Sequence, residues 1–209
     1  MGPASPEPRY FGPEDRPLFG WAHPAPLSAA PSPVGVVVCN PFGYEAICAH
    51  RSLRAFASAI AEAGIPSLRF DYDGTGDSAG DDRDPDRVKA WVDSIHHAID
   101  ELRRVSGVRE VVLLGVRLGA LLAAVAAADR EDVSGLVAIA PVLSGKHHVR
   151  ELRVLQAALA LREAPFPRGP VDVQEAVGFA LTEETQRSLS GIDLASQDRR
   201  APRAVLILD

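Results

Sequence analysis

The sequence predicts an α/β protein of three layers, in which a mostly parallel sheet lies between helices. From Val34 onward, short apolar runs alternate with helical segments, and this order gives parallel strands joined by right-handed crossovers. The first of these runs, Val34–Cys39, is apolar and β-branched almost throughout, as expected for a strand buried on both faces. With 209 residues, of which 46% are hydrophobic, the chain is long enough for one domain with a sizeable core.

The N-terminal part is expected to lie outside this core. Nine of the 17 prolines fall within the first 33 residues, and proline removes a backbone donor and fixes φ. Residues 1–16 are therefore predicted to be a disordered, proline-rich tail, and the domain is predicted to span 17–209. Within that domain, Pro17–His23 is expected to form a short strand at the sheet edge.

The elements after Val34–Cys39 are predicted from their periodicity. Apolar residues recur at helical spacing in Arg51–Ala63, and Gly64 follows where a helix end favours a left-handed residue. Val88–Val105 has the apolar face of a long amphipathic helix. The other predicted elements are strands at Ile65–Phe70, Glu110–Leu114, Leu136–Ala140 and Ala204–Leu208 and a helix at Gly119–Asp129. Between the last two strands, residues 142–196 are predicted to form a lid-like insertion of interrupted helices.

Composition excludes several classes of function. The net charge is −6, which gives no basic surface for nucleic acid or an anionic membrane. The longest apolar run, Ala120–Ala128, is about half of a bilayer span. Two cysteines, Cys39 and Cys48, suit a reducing compartment, and the N-terminus lacks the pattern of a signal peptide. We therefore expect a cytoplasmic protein without nucleic-acid or membrane partners, metal or cofactor.

The segment Asp71–Gly80 carries aspartates and glycines that three structures could explain. The glycines partly match a dinucleotide fingerprint, and the aspartates partly match a calcium loop. Both matches lack their context, because the acidic charge would repel a pyrophosphate and a calcium loop is flanked by helices. The favoured interpretation is a tight acidic turn, in which glycines supply positive φ and Ser78 hydrogen-bonds the turn.

A strand-to-helix turn at Gly115-Val-Arg-Leu-Gly119 has the frame of a nucleophile elbow, G-x-S-x-G. Two glycines allow the strand and the helix to approach closely around a strained central residue. Here the central residue is Arg117. A guanidinium stays protonated, carries no acceptor and cannot attack a carbonyl.

Three segments together resemble the α/β-hydrolase superfamily, and within it the serine-aminopeptidase-type and exosortase-associated hydrolases. They are Asn40-Pro-Phe-Gly-Tyr-Glu45, the segment Leu68–Gly80 and the turn Gly115–Ala120. The resemblance covers about Pro17 to Asp209. It implies α/β-hydrolase topology, an oxyanion loop at Asn40-Pro41-Phe42, and amide donors at Phe42 and Leu118.

The resemblance also implies where the remaining catalytic groups would stand. A catalytic acid would follow the last strand, which makes Asp209 a weak candidate, and the catalytic histidine would follow a further strand. The six histidines, at 23, 50, 96, 97, 147 and 148, all precede that position, although His147 and His148 could line a lid. We therefore expect Ser-triad catalysis to be lacking. The alternative is an active ester, amide or thioester hydrolase completed beyond Asp209.

Two roles remain open for Arg117. Beside two backbone amides and a helix N-terminus, it could bind a small anionic or acyl ligand. The predicted ligand-binding residues are then Phe42, Gly43, Glu45, Arg117 and Leu118. Alternatively, Arg117 pairs with an internal carboxylate such as Glu45. An exposed sheet edge at Ala204–Leu208 is an aggregation hazard, so we expect a fragment that lacks its last strand and helix. The alternatives are a truncated pseudogene product and a subunit whose sheet is completed by a partner chain or a second copy.

Overall fold

The computed structural model describes residues 5–160, 173–175, 180–196 and 201–209. Seven of the described strands are β1 (Glu7–Phe11), β2 (Leu18–His23), β3 (Val34–Cys39), β4 (Ser67–Phe70), β5 (Glu110–Val116), β6 (Val133–Ile139) and β9 (Ala204–Leu208). They form one sheet in the order β1-β2-β4-β3-β5-β6-β9. The helices are α1 (Gly43–Glu62), α2 (Arg87–Ser106), α3 (Leu118–Ala128), α4 (Gly145–Ala160) and α5 (Glu183–Ser190), and β7 (Val173–Glu175) pairs with β8 (Ala180–Thr182).

The predicted three-layer α/β architecture is confirmed. The strands β4, β3, β5, β6 and β9 are parallel. Alternate residues of β3 point to opposite layers: Val36 and Val38 pack in the core under α1, whereas Val37 packs with residues of α2 and α3. Because the carboxyl ends of parallel strands meet at one sheet edge, the segments that follow β3, β4, β5 and β6 lie together.

The prediction of a tail over 1–16 is wrong for Glu7–Phe11, because these residues form β1, antiparallel to β2. Pro8 is accommodated because β1 is the outermost strand, where a missing donor costs little. Arg9 also donates to Glu101 Oε1 of α2 over 2.9 Å. As a result the strand predicted at Pro17–His23 is not at the edge, since β2 lies between β1 and β4.

Helix α1 begins eight residues earlier than predicted, at Gly43 instead of Arg51. Its buried residues, Leu53, Ala57 and Ala61, all lie in its C-terminal two thirds. The first turns therefore carry little of the apolar periodicity on which the prediction depended. Gly64 has φ +91°, which confirms the left-handed residue expected after the helix.

The segment 142–196, predicted as a lid-like insertion, connects β6 to β9. Its described parts are the helices α4 and α5 and the short pair β7–β8. Residues 161–172 and 176–179 of this segment lie outside the described residues. Helix α4 passes over the carboxyl edge of the sheet, and its residues reach the turn after β5.

The acidic segment after β4 is the predicted tight turn. Gly74, Gly76 and Gly80 all have positive φ. Ser78 Oγ accepts from the amide of Phe19 and donates to the carbonyl of Asp71, as predicted. Among the described residues of the chain, no cluster of His, Cys, Asp and Glu is arranged to hold a metal ion.

Candidate functional site

The turn between β5 and α3 holds Arg117 in a strained backbone conformation. Its φ of 52° and ψ of −119° lie in a region that L-residues seldom adopt. A Cβ on Gly115 would lie 2.4 Å from Ala120 Cα, and one on Gly119 would lie 2.3 Å from the carbonyl oxygens of both Cys39 and Asn40. Both positions therefore require glycine, as the sequence predicted, because β5, α3 and the loop after β3 pack backbone against backbone.

The loop after β3 is held beside this turn by contacts with the end of β4, with Tyr72 just after it and with α2. Asn40 Nδ2 donates to the carbonyl of Phe70 over 2.7 Å, and Tyr72 Oη donates to the carbonyl of Asn40 over 3.3 Å. The Phe42 ring stacks on Tyr72 at 4.6 Å and packs against Trp91 at 4.5 Å. These contacts fix the loop and the start of α1 against the start of α3.

Two carboxylates bind the Arg117 guanidinium. Its Nε donates to Glu45 Oε1 over 2.9 Å, and its Nη2 donates to both oxygens of Glu151 over 2.9 Å. Glu45 comes from α1 and Glu151 from α4. Of the two roles predicted for Arg117, the structure shows the internal ion pair with Glu45 and adds a second partner from the lid-like segment.

Burial and these charges shift the pKa values of the groups around the turn. Burial alone would lower the pKa of Arg117, but the adjacent carboxylates of Glu45 and Glu151 raise that pKa above its ordinary value. His148, which is 4% exposed, has its Nδ1 3.6 Å from Glu151 Oε2. Burial lowers the pKa of His148 and outweighs the nearby carboxylates, so the imidazole is neutral at pH 7.

A cavity of about 80 Å³ lies over this turn and is called the turn cavity below. Its polar lining consists of Arg117, Glu45, Glu151, His148 and Gln156. The rest of its wall is mostly apolar and is formed by Phe42, Gly43, Tyr44, Leu118, Leu152, Leu155 and Leu181. The turn cavity therefore combines a paired cation with an apolar pocket under α4.

The five residues predicted to bind a ligand, Phe42, Gly43, Glu45, Arg117 and Leu118, all line the turn cavity. Asp209, the weak candidate for a catalytic acid, is exposed at the carboxyl end of β9 and does not line it.

Of the two histidines expected to line a lid, His148 lines the turn cavity, whereas His147 is exposed. The sequence analysis missed Glu151. The spacing of His148 and Glu151, three residues apart in α4, places both on one helix face and is a signal that could have indicated the role of Glu151.

The fold agrees with comparisons to known proteins. Residues 45–202 match the family of serine aminopeptidases, S33. The chain belongs to this family. No curated protein is significantly similar to it in sequence. In this member of the serine aminopeptidase family, none of the described helices is both long enough and apolar enough to cross a membrane.

Several solved structures resemble this member of the S33 family. An α/β serine hydrolase without a lid from Xanthomonas campestris is 26% identical, with a TM-score of 0.56 over 68% of this chain and 64% of its own. Est1E from Butyrivibrio proteoclasticus, solved with ferulic acid bound, is 18% identical with a TM-score of 0.68 over 95% of this chain and 77% of its own. A hypothetical protein from Pseudomonas aeruginosa is 16% identical with a TM-score of 0.67 over 99% of this chain and 86% of its own. The last two likenesses concern the fold alone.

Proposed function

We propose that this chain is a non-hydrolytic member of its family that binds a small carboxylate ligand in the turn cavity. The observation that carries the proposal is the residue at the strained position of the β5–α3 turn. In a G-x-S-x-G elbow this position presents the nucleophile, and here it presents the guanidinium of Arg117, bound by Glu45 and Glu151. A guanidinium carries no lone pair that could attack an acyl group.

The other residues of the turn cavity do not replace that nucleophile. Acyl transfer through a covalent intermediate needs a hydroxyl or thiol beside a base. Among the described residues that line the cavity there is no Ser, Thr or Cys, and the hydroxyl of Tyr44, which is 57% exposed, makes no hydrogen bond to His148. His148 is neutral at pH 7 and close to Glu151, but a base and an orienting acid without a nucleophile leave the triad incomplete.

The chemistry of the ligand follows from the carboxylates that pair with Arg117. Glu151 is 58% exposed at its side chain, so its carboxylate can return to water at little cost. A ligand carboxylate can then take its place on the guanidinium of Arg117 with the same charge-assisted hydrogen bonds. The chain of the ligand would lie against the apolar wall of Phe42, Leu152 and Leu181. A short aliphatic carboxylate satisfies both parts of the cavity.

Calorimetric titration with butyrate tests this proposal, with butanol and butylamine as probes of equal size. We expect saturable binding of butyrate alone. Arg117→Gln should weaken binding roughly tenfold or more, because a hydrogen bond to a charged group is lost. Glu151→Gln should strengthen binding, because the internal competitor loses its charge. Arg150→Gln, a neighbouring exposed residue of α4 that does not line the cavity, should leave the affinity unchanged.

Two outcomes would overturn the proposal. Equal affinity of butyrate for the wild type and Arg117→Gln would remove the binding role. Labelling of a serine by a fluorophosphonate probe, together with turnover of a p-nitrophenyl ester that survives repurification, would remove the non-hydrolytic role. The second outcome would support the alternative, a hydrolase that is completed by residues beyond Asp209. Asp209 follows β9, and it therefore lies at the same sheet edge as Arg117.

A further inference from the structure

A second cavity, of about 560 Å³, shares Phe42 and Gly43 with the turn cavity and is called the loop cavity below. It extends from the first turns of α1 to the end of β4 and the acidic turn. Like the turn cavity, it is lined by charged side chains, among them Arg51, Arg69, Asp71 and Asp82. Nothing in the proposed function uses this space.

Arg69 is a buried cation that lacks an ion pair. The residue is 6% exposed, and its Nε donates to His23 Nε2 over 3.3 Å. Its two terminal nitrogens make no hydrogen bond to any described residue. Burial lowers the pKa of Arg69, and the charge of Asp71 raises it only in part. A buried charge in this state is costly unless a partner compensates it. Because Arg69 lines the loop cavity, the cavity is where such a partner can reach it.

Asp71 supplies the opposite charge in the same cavity. Its Oδ2 accepts from the amide of Asp77 over 3.1 Å, and the missing side chain of Gly76 leaves room for the carboxylate, since a Cβ there would lie 2.2 Å from Oδ2. The turn therefore holds this carboxylate in place. Burial raises the pKa of Asp71 and the nearby Arg69 offsets this only in part, and no hydrogen bond joins the two described side chains, so they line one cavity without direct contact.

The other acidic and basic side chains that line the loop cavity are those of Asp82, Arg51 and His50. None of them forms a described ion pair with Arg69 or Asp71. His50 only offsets in part the rise that burial causes in the pKa of Asp71. Asp82 Oδ2 accepts from the amide of Ala180 over 2.7 Å, which ties that carboxylate to the backbone. Arg51 lies on the exposed side of α1. A simple anion would satisfy Arg69 but would be repelled by Asp71, and a simple cation would do the reverse.

We propose that the loop cavity binds a small zwitterion of the α-amino acid type, with its carboxylate on Arg69 and its ammonium group on Asp71. Such a ligand carries both charges on adjacent carbons and leaves the net charge of the cavity unchanged. A guanidinium matches a carboxylate with two parallel hydrogen bonds, and the carboxylate of Asp71 accepts from an ammonium group. The proposal does not rest on the function proposed for the turn cavity.

Titration calorimetry with glycine and L-alanine tests this inference, with acetate and methylamine as probes that each carry one of the two charges. We expect saturable binding of both zwitterions and at least tenfold weaker binding of acetate and methylamine. Asp71→Asn keeps the acceptor for the Asp77 amide but removes the charge, and it should weaken glycine binding at least tenfold. Asp81→Asn makes the same change of charge at an exposed position of the same loop that does not line the cavity, and it should not change the affinity.

Because Arg69 is buried, its substitution could prevent folding. The proposal is therefore tested mainly with Asp71→Asn, and circular dichroism shows whether this variant is folded. Arg69→Lys keeps the charge without the bidentate geometry and should give an intermediate loss of affinity. Three results would each overturn the proposal: acetate bound as tightly as glycine, an unchanged affinity in folded Asp71→Asn, or no saturable binding of either zwitterion. Butyrate binding in the turn cavity is measured separately, so the failure of one proposal is distinguishable from the failure of the other.

Discussion

Substitution of Gly119 by alanine should be among the most destabilising small changes in this chain. The added Cβ would lie 2.3 Å from two carbonyl oxygens, those of Cys39 and Asn40, which is far inside van der Waals contact. Both neighbours are backbone atoms, so a side-chain rotation cannot relieve the overlap. Overpacking of this kind costs about 3 kcal/mol, which corresponds to a fall in Tm of about 6–12 °C for a domain of this size.

Urea unfolding followed by far-ultraviolet circular dichroism measures this loss. Gly107→Ala is the matched control, because Gly107 has φ +71° and nothing within 4 Å of an added Cβ, so only the left-handed backbone is penalised, by about 1 kcal/mol. If Gly119→Ala loses no more stability than Gly107→Ala, the close packing of α3 on the loop after β3 is not a determinant of the fold.

Three further outcomes are expected. Asp73→Asn should lower the free energy of unfolding by about 3 kcal/mol, because it removes the charge that compensates buried Arg87. Burial would raise the pKa of Asp73, but its arginine partners lower it. In urea melts at different pH values, the wild type should therefore lose this contribution below about pH 4, and the variant should show no such loss. Burial, with nearby arginines, lowers the pKa of His23 to about 4. Between pH 6.5 and pH 4 only the unfolded chain binds the proton, so the free energy of unfolding should decrease as the pH is lowered through this range. In urea melts at different pH values, His23→Gln should show a smaller decrease. A thiol reagent should modify Cys48, which is exposed, in the native protein and Cys39 only after unfolding, because burial raises the pKa of Cys39 to about 12; rapid modification of both thiols under native conditions would contradict this.

The parts of the fold that the sequence predicted best are those with strong local signals. The apolar run of β3 and the apolar face of α2 are visible in any window of their length. Strand β1 was missed because its signal is not apolar. It is fixed by pairing with β2 and by the contact of Arg9 with Glu101, and no local pattern records a contact between residues so far apart.

In the candidate site, too, the locally encoded features could be predicted and the contacts between distant segments could not. The turn at Gly115–Gly119 could be predicted because its glycines are required by local backbone packing. The pairing of Arg117 with Glu45 could be named only as one alternative, since the charge of an arginine does not say which carboxylate it meets. Glu151 and the loop-cavity residue Arg69 depend on how separate segments pack, so their positions required the three-dimensional structure.

The position of Trp91 has a practical consequence for spectroscopy. The chain has two tryptophans, and this one is fully buried with its ring 4.5 Å from Phe42. Phe42 borders both cavities. Displacement of its ring by an occupant of either space would change the surroundings of the indole, so intrinsic emission offers a label-free signal for titrations at this edge of the sheet.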